Sequence, residues 1–94
     1  MKHHITEIGN ETWIAFPDYR MWISVYPWDA KTTDNGQDVY PFIAWQEVEG
    51  DEPQLIYSDE VLCEDWDTNG VLSITHAVKA CVAILAMTGE EETK

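Results

Sequence analysis

The chain has almost no positive charge. Five Lys and Arg stand against eighteen Asp and Glu among 94 residues, a formal net charge of −13, and the pI is about 4.2. Between Thr32 and Val78 there is no Lys or Arg at all. A chain so poor in cations is repelled by nucleic acid and by anionic membranes, so neither is expected as a direct partner and a basic protein surface is. Cysteine is scarce too. Cys63 and Cys81 lie far apart, and with three histidines and no C-x-x-C or H-x-x-x-H spacing there is neither a zinc framework nor a disulfide scaffold, which reads as two reduced thiols in a cytoplasmic protein. The opening MKHHITEIG is polar and lacks the apolar core of a secretory signal. Catalytic signatures are missing as well: no G-x-S-x-G, no phosphate-cradling glycine loop, no Cys and His with an orienting group. Acidic neighbours such as Asp59 and Glu60, in an extended segment, point to opposite faces and cannot share a substrate. The expectation is a non-enzymatic protein using neither cofactor nor metal.

What the chain does have is apolar and aromatic material, 45 % hydrophobic residues with five Trp, which sets it apart from disordered acidic chains and suits one domain over residues 1–94. The organising stretch is VLSITHAVKACVAILAM, Val71 to Met87. At 100° per residue Val71, Ile74, Val78, Cys81, Val82 and Leu85 fall on one side, with Ser73, His76, Lys79, Ala80 and Ala83 opposite. This predicts a long amphipathic helix over 71–88, capped by Ser73 or Asp67 and closed by Gly89, with a frayed tail over 89–94. At about 25 Å, and interrupted by Ser73, His76 and Lys79, it is expected to be too short to cross a bilayer.

Residues 1–58 read mainly as strands and turns. His3 to Ile8 and Trp13 to Phe16 flank Gly9-Asn10, a two-residue hairpin turn, and Pro17-Asp18-Tyr19 breaks the second strand. In Met21 to Tyr26 the alternation puts Met21, Ile23 and Val25 on one face, expected under the helix, and Trp22, Ser24 and Tyr26 on the other, either covered by a loop or exposed as a contact surface. Residues 27–38 read as a polar loop. Val39 to Val48 returns as a strand that Pro41 places at an edge or a bulge, and an acidic turn, Glu49 to Pro53, leads into Gln54 to Ser58. Residues 59–70 form an acidic connection read as a crossing loop, a helical turn or a strand near Val61 to Cys63. The fold class is α+β: an antiparallel sheet of three to five strands with the C-terminal helix packed on one face.

The acids are concentrated. Eleven fall between Thr32 and Val78, namely Asp34, Asp38, Glu47, Glu49, Asp51, Glu52, Asp59, Glu60, Glu64, Asp65 and Asp67. Such crowding destabilises a compact state by self-repulsion, so it is read either as a solvated, solubilising face or as a binding surface for cations. Glu47, Glu49, Asp51, Glu52, Asp59, Glu60, Glu64, Asp65 and Asp67 are the candidate contacts. A small domain of this charge, with acids in turns and no enzymatic signature, resembles the phage-encoded inhibitors of host defence, the anti-CRISPR proteins and DNA mimics. The resemblance is one of size, charge and build, without a shared motif. It implies an inhibitor acting in the host bacterial cytoplasm on the basic, nucleic-acid-handling surface of a defence complex, where carboxylates stand in for phosphates. An alternative with the same physics is an immunity or antitoxin-like protein that neutralises a basic nuclease.

Two further patterns matter. Asp65-Trp66-Asp67-Thr68-Asn69-Gly70 has the D-x-D-x-N-G spacing that opens an EF-hand calcium loop, with Asp65, Asp67 and Asn69 as oxygen donors. The twelfth position, however, is His76 where a bidentate Glu is needed, and the same residues serve as a turn and helix cap. Trp28, Tyr57 and Trp66 flank acidic positions, the composition of an interface anchor facing an Arg-rich partner, or of residues closing the edge of a small core.

Overall fold

The computed structural model describes residues 2–92, with side chains described as far as Met87. Six strands, all paired antiparallel, form one sheet: β1 (His4–Ile8), β2 (Glu11–Phe16), β3 (Met21–Val25), β4 (Lys31–Thr32), β5 (Asp38–Gln46) and β6 (Gln54–Leu62). The C-terminal helical segment follows, as α1 (Cys63–Asn69), a 3-10 stretch over Gly70–Ile74, and α2 (Thr75–Glu92). The α+β class is as the alternation and the helical period predict. The strand number exceeds the expected three to five, because the polar loop over 27–38 contains the two-residue β4.

β1, β2 and β3 form a meander. Gly9 takes φ +62° in the turn between β1 and β2, the sign that a type II′ hairpin requires at its first central residue. Between β2 and β3 a 3-10 turn over Pro17–Tyr19 reverses the chain, and Arg20 closes it in the left-handed conformation (φ 52°, ψ 40°) with its N–H donating to the Pro17 carbonyl. β5 is the central long strand. One of its edges carries β6 opposite Val39 to Gln46; the other carries β3 opposite Phe42–Gln46 on the same side of the sheet as β4, which pairs with Val39 and Asp38. Pro41 therefore lies in an interior strand, not at an edge. It is tolerated because its carbonyl accepts from Tyr26 N–H on the β3 side, so its missing N–H faces the gap where the chain leaves the sheet in a 3-10 turn over Pro27–Asp29.

The apolar core lies on one face of this sheet. Ile14 and Phe16 from β2, Met21, Ile23 and Val25 from β3, and Phe42 and Ala44 from β5 are buried against Ile74, Ala77, Val78, Cys81 and Leu85 of the helical segment. The predicted face of the helix is thus the buried one, with Val71 and Val82 at its margins. A β-bulge completes the packing. Ala44 pairs with Tyr57 but Trp45 pairs with Leu55, leaving Ile56 as the extra residue. Both Ile56 and Tyr57 consequently reach the core side, which strict alternation forbids.

The C-terminal segment departs from expectation at both ends. The acidic connection over 59–70 is no loop: β6 continues to Leu62, and α1 begins at Cys63. Neither Ser73 nor Asp67 caps a helix N-terminus; Ser73 Oγ donates to the Gly70 carbonyl at 2.6 Å, and Asp67 sits inside α1. The actual break is Gly70, at φ 56° and ψ −126°, a backbone region essentially restricted to glycine. Gly89 does not end the helix, which runs on to Glu92; of the expected tail, 93–94 lie outside the described residues. Cys63–Met87 thus makes a helical segment of 25 residues, long and apolar enough to cross a membrane by length and composition, contrary to the sequence expectation. In this fold Gly70 bends it, and Ile74, Ala77 and Cys81 on its inner stripe are fully buried on the sheet.

Candidate functional site

The acidic candidates occupy two places. Glu47, Glu49, Asp51 and Glu52 are exposed around the turn joining β5 to β6, where the Asp51 carboxylate accepts from the Glu52 N–H at 2.8 Å. Asp59 and Glu60 lie on β6, and Glu64, Asp65 and Asp67 on α1, all exposed. Glu52 and Glu60 lie eight positions apart, at most roughly 26 Å at 3.3 Å per residue. The acids thus fall into two groups, one at each end of the edge strand β6 with none between Glu52 and Asp59, rather than forming one compact patch.

Their neutralisation is slight. Arg20 and Lys31, from outside the cation-free stretch, approach Glu47 (Nε to Oε2, 4.0 Å) and Glu60 (Nζ to Oε2, 3.9 Å), and His76 Nε2 lies 3.9 Å from Asp59 Oδ2. These pairs are long and exposed, and such pairs contribute at most about 1 kcal/mol each. A row of charges also guards an edge strand against pairing with another chain, an internal reason for acids on β6.

Two carboxylates have structural duties. The Tyr40 hydroxyl donates to both oxygens of Asp67 at 3.3 Å, tying α1 to β5, and the Tyr57 hydroxyl donates to Asp59 at 3.1 Å. Burial, then the negative charge of Asp67, raises the Tyr40 pKa; burial, then the hydrogen bond to Asp59, raises that of Tyr57. The Cys63 thiol is raised chiefly by burial, and burial pushes Cys81 up to about 11. Both cysteines are free thiols.

Asp65, Asp67 and Asn69 do not form a calcium loop. They lie on α1, where residues two apart project about 200° from one another, so three alternate oxygens cannot converge on one ion. Among the described residues no group of three or more His, Cys, Asp or Glu is placed to hold a metal.

Of the aromatic candidates, Trp28 is 60 % exposed in the 3-10 turn after β3. Tyr57 and Trp66 instead pack against the core, Tyr57 with its ring 6.4 Å from that of Phe42. They close the core edge, because the bulge turns Tyr57 inward and α1 lays Trp66 over the cluster.

The aromatic surface lies elsewhere, on the sheet face away from the helix. Trp13 of β2, Trp22 of β3 and Trp45 of β5 sit on three adjacent strands, with Trp22 directly paired to Trp45. Together with Ser24 and Tyr26 they line a cleft of about 490 Å³, and Glu11 and Glu52 line it too. The Trp13 indole N–H donates to Glu11 at 2.8 Å. Trp22 Nε1 and Ser24 Oγ are buried without a hydrogen-bond partner among the described residues. Alternation identified Trp22, Ser24 and Tyr26 as sharing this face. Trp13 and Trp45 carry the same signal, in T-W-I-A-F and F-I-A-W-Q, and reading those two runs at period two would have found them.

No protein family, curated protein or solved structure matches this chain.

Proposed function

We propose that this is a non-enzymatic binding protein that docks its acidic β6 side on the basic surface of a nucleic-acid-handling protein, in the manner of a phage-encoded inhibitor of a bacterial defence complex. One observation carries the reading. Nine carboxylates, from Glu47 to Asp67, gather at the two ends of β6, in the turn before it and the helix after it, over a length comparable with several phosphates of a duplex, and among the described residues only Glu47, Asp59 and Glu60 meet a basic side chain, at 3.9 Å or more. A fold tolerates that self-repulsion at a cost in stability, which a cationic partner offsets.

The test is capture from a bacterial lysate with the immobilised protein, followed by challenge with duplex DNA. The expected result is retention of a nucleic-acid-binding protein at about 50 mM salt and its release by added DNA. Retention that DNA leaves untouched, or retention only of proteins that bind no nucleic acid, overturns the proposal.

A further inference from the structure

We infer that the tryptophan cleft receives an arginine side chain presented by a peptide segment of the partner, an inference that rests on the reading of that partner as basic. The lining sets the chemistry. Trp13, Trp22, Trp45 and Tyr26 supply π-faces, Glu11 and Glu52 supply two carboxylates, and among the described residues no Lys, Arg or His lines the cleft. An anion is repelled there, and a second copy of a chain carrying a net charge of −13 is repelled as well. A neutral ring stacks on the indoles but gains little from the carboxylates that water does not already provide. A cation uses both.

Arginine fits better than lysine. Its planar guanidinium stacks on an indole while its edge donates to carboxylates, whereas an ammonium is a compact, strongly hydrated point charge. The two unpaired polar atoms refine the assignment. Ser24 Oγ is an acceptor for a guanidinium N–H. Trp22 Nε1–H is a donor that no cation satisfies, and it calls for a carbonyl, which the main chain of an arginine-bearing peptide supplies. Leaving both groups unpaired in a buried place costs free energy, and native folds rarely do so without reason. Both atoms are sealed from solvent, so pairing them with the ligand requires the side chains that cover them to move on binding.

Glu52 belongs both to this cleft and to the acidic turn between β5 and β6. The anchor and the charged side therefore meet at one corner of the molecule, and a single basic segment can engage both.

The experiment uses the full chain labelled with ¹⁵N and blocked tripeptides Gly-Arg-Gly, Gly-Lys-Gly and Gly-citrulline-Gly, citrulline being the neutral counterpart of arginine. Indole N–H signals are followed by NMR and assigned with single Trp→Phe variants at Trp13, Trp22, Trp28, Trp45 and Trp66. The arginine peptide is expected to shift the Trp13, Trp22 and Trp45 signals, to leave Trp66 unmoved, and to bind about tenfold more tightly than the citrulline peptide. Glu11→Gln with Glu52→Gln should erase that preference while keeping an acceptor for the Trp13 N–H. Equal binding of arginine and citrulline peptides, or arginine-induced shifts confined to Trp66 and Trp28, overturns the inference. So does tighter binding of a cello-oligosaccharide than of the arginine peptide. The two readings fail separately. Loss of peptide binding on neutralising Asp59, Glu60, Glu64 and Asp65, with the Glu11/Glu52 variant unaffected, removes the cleft and leaves the acidic side; cleft binding without DNA-competed capture does the reverse.

Discussion

Trp13 and Trp22, diagonal neighbours on β2 and β3, lie parallel with ring centroids 6.0 Å apart and planes 5° from one another, on the sheet face that the helix leaves open. Offset parallel aromatic pairs contribute about 0.5–1.5 kcal/mol beyond their burial. Beneath this layer Ser24 is 1 % exposed and its hydroxyl has no partner among the described residues. Ser24→Ala removes a buried, unsatisfied group at little cost in volume. It is expected to raise the unfolding free energy by about 1 kcal/mol, read as a higher urea midpoint at constant m-value; a fall of the same size would mean that the hydroxyl is satisfied.

On the opposite face, Val78 is buried between helix and sheet. Val78→Asp places an unpaired carboxylate in that contact and should cost about 3 kcal/mol or more, which a small domain does not survive. The variant is expected to lose its cooperative thermal transition in circular dichroism.

Gly70 marks the bend between α1 and the 3-10 stretch, and a Cβ built there meets no heavy atom within 4 Å. The cost of Gly70→Ala is therefore one of backbone strain alone, about 1–2 kcal/mol. Denaturant unfolding of the variant measures it directly, with Ala77→Gly in α2 as a comparison that loses helix propensity by about 1 kcal/mol and core contact besides.

Cys81 gives stability a dependence on alkaline pH. Its thiol is raised from 9.0 to about 11 by burial in the core, so the folded state keeps a proton that the unfolded state gives up. That contribution is fully present below pH 9 and is lost as pH rises through about 11, on the order of 3 kcal/mol in all. Cys81→Ala should flatten this part of the curve of melting temperature against pH. Tyr40, Tyr57 and Cys63 are raised as well, and each adds a dependence of the same sign to the slope that remains.

Much of the fold was legible in the sequence, and where it was not the reasons are physical. The turn at Gly9-Asn10, the alternation in Met21 to Tyr26 and the helical stripe from Ile74 to Leu85 each have a period or a turn residue that tertiary structure did not override. Residues 59–70 were ambiguous because β6 ends in acids that serve as edge-strand charges, and because D-x-D-x-N-G is an equally good helix turn and ion loop until its backbone is known. Gly89 resembled a C-cap, yet the helix continues through it to Glu92. The acidic side was read from charge density alone. Arg20 and Lys31, which approach Glu47 and Glu60 across the sheet, are distant in sequence, and no local pattern announces such pairs. The tryptophan cleft is half visible, since it takes three strands to assemble and only the run in β3 alternates cleanly enough to show its second face.

Charge neutralisation bears on the acidic side itself. Replacing Glu47, Glu49, Asp51 and Glu52 by Gln or Asn as one set, and Asp59, Glu60, Glu64 and Asp65 as another, retains the carbonyl acceptors that Glu52 N–H, Glu60 N–H and the Tyr57 hydroxyl use. Relief of like-charge repulsion should leave each set as stable as the parent or slightly more so, a point checked by thermal denaturation before any binding is measured.

The most direct measurement is the affinity of the parent protein and of both neutralised sets for the captured partner, titrated calorimetrically from about 50 to about 500 mM salt, over which the Debye length falls from about 14 Å to about 4 Å. If the acids meet a cationic surface, parent affinity falls at least about tenfold across that range and at least one set, though folded, binds as weakly at low salt as the parent does at high. Affinity indifferent to salt and unchanged in both sets would contradict it, and would leave the acids of β6 as a solvated edge.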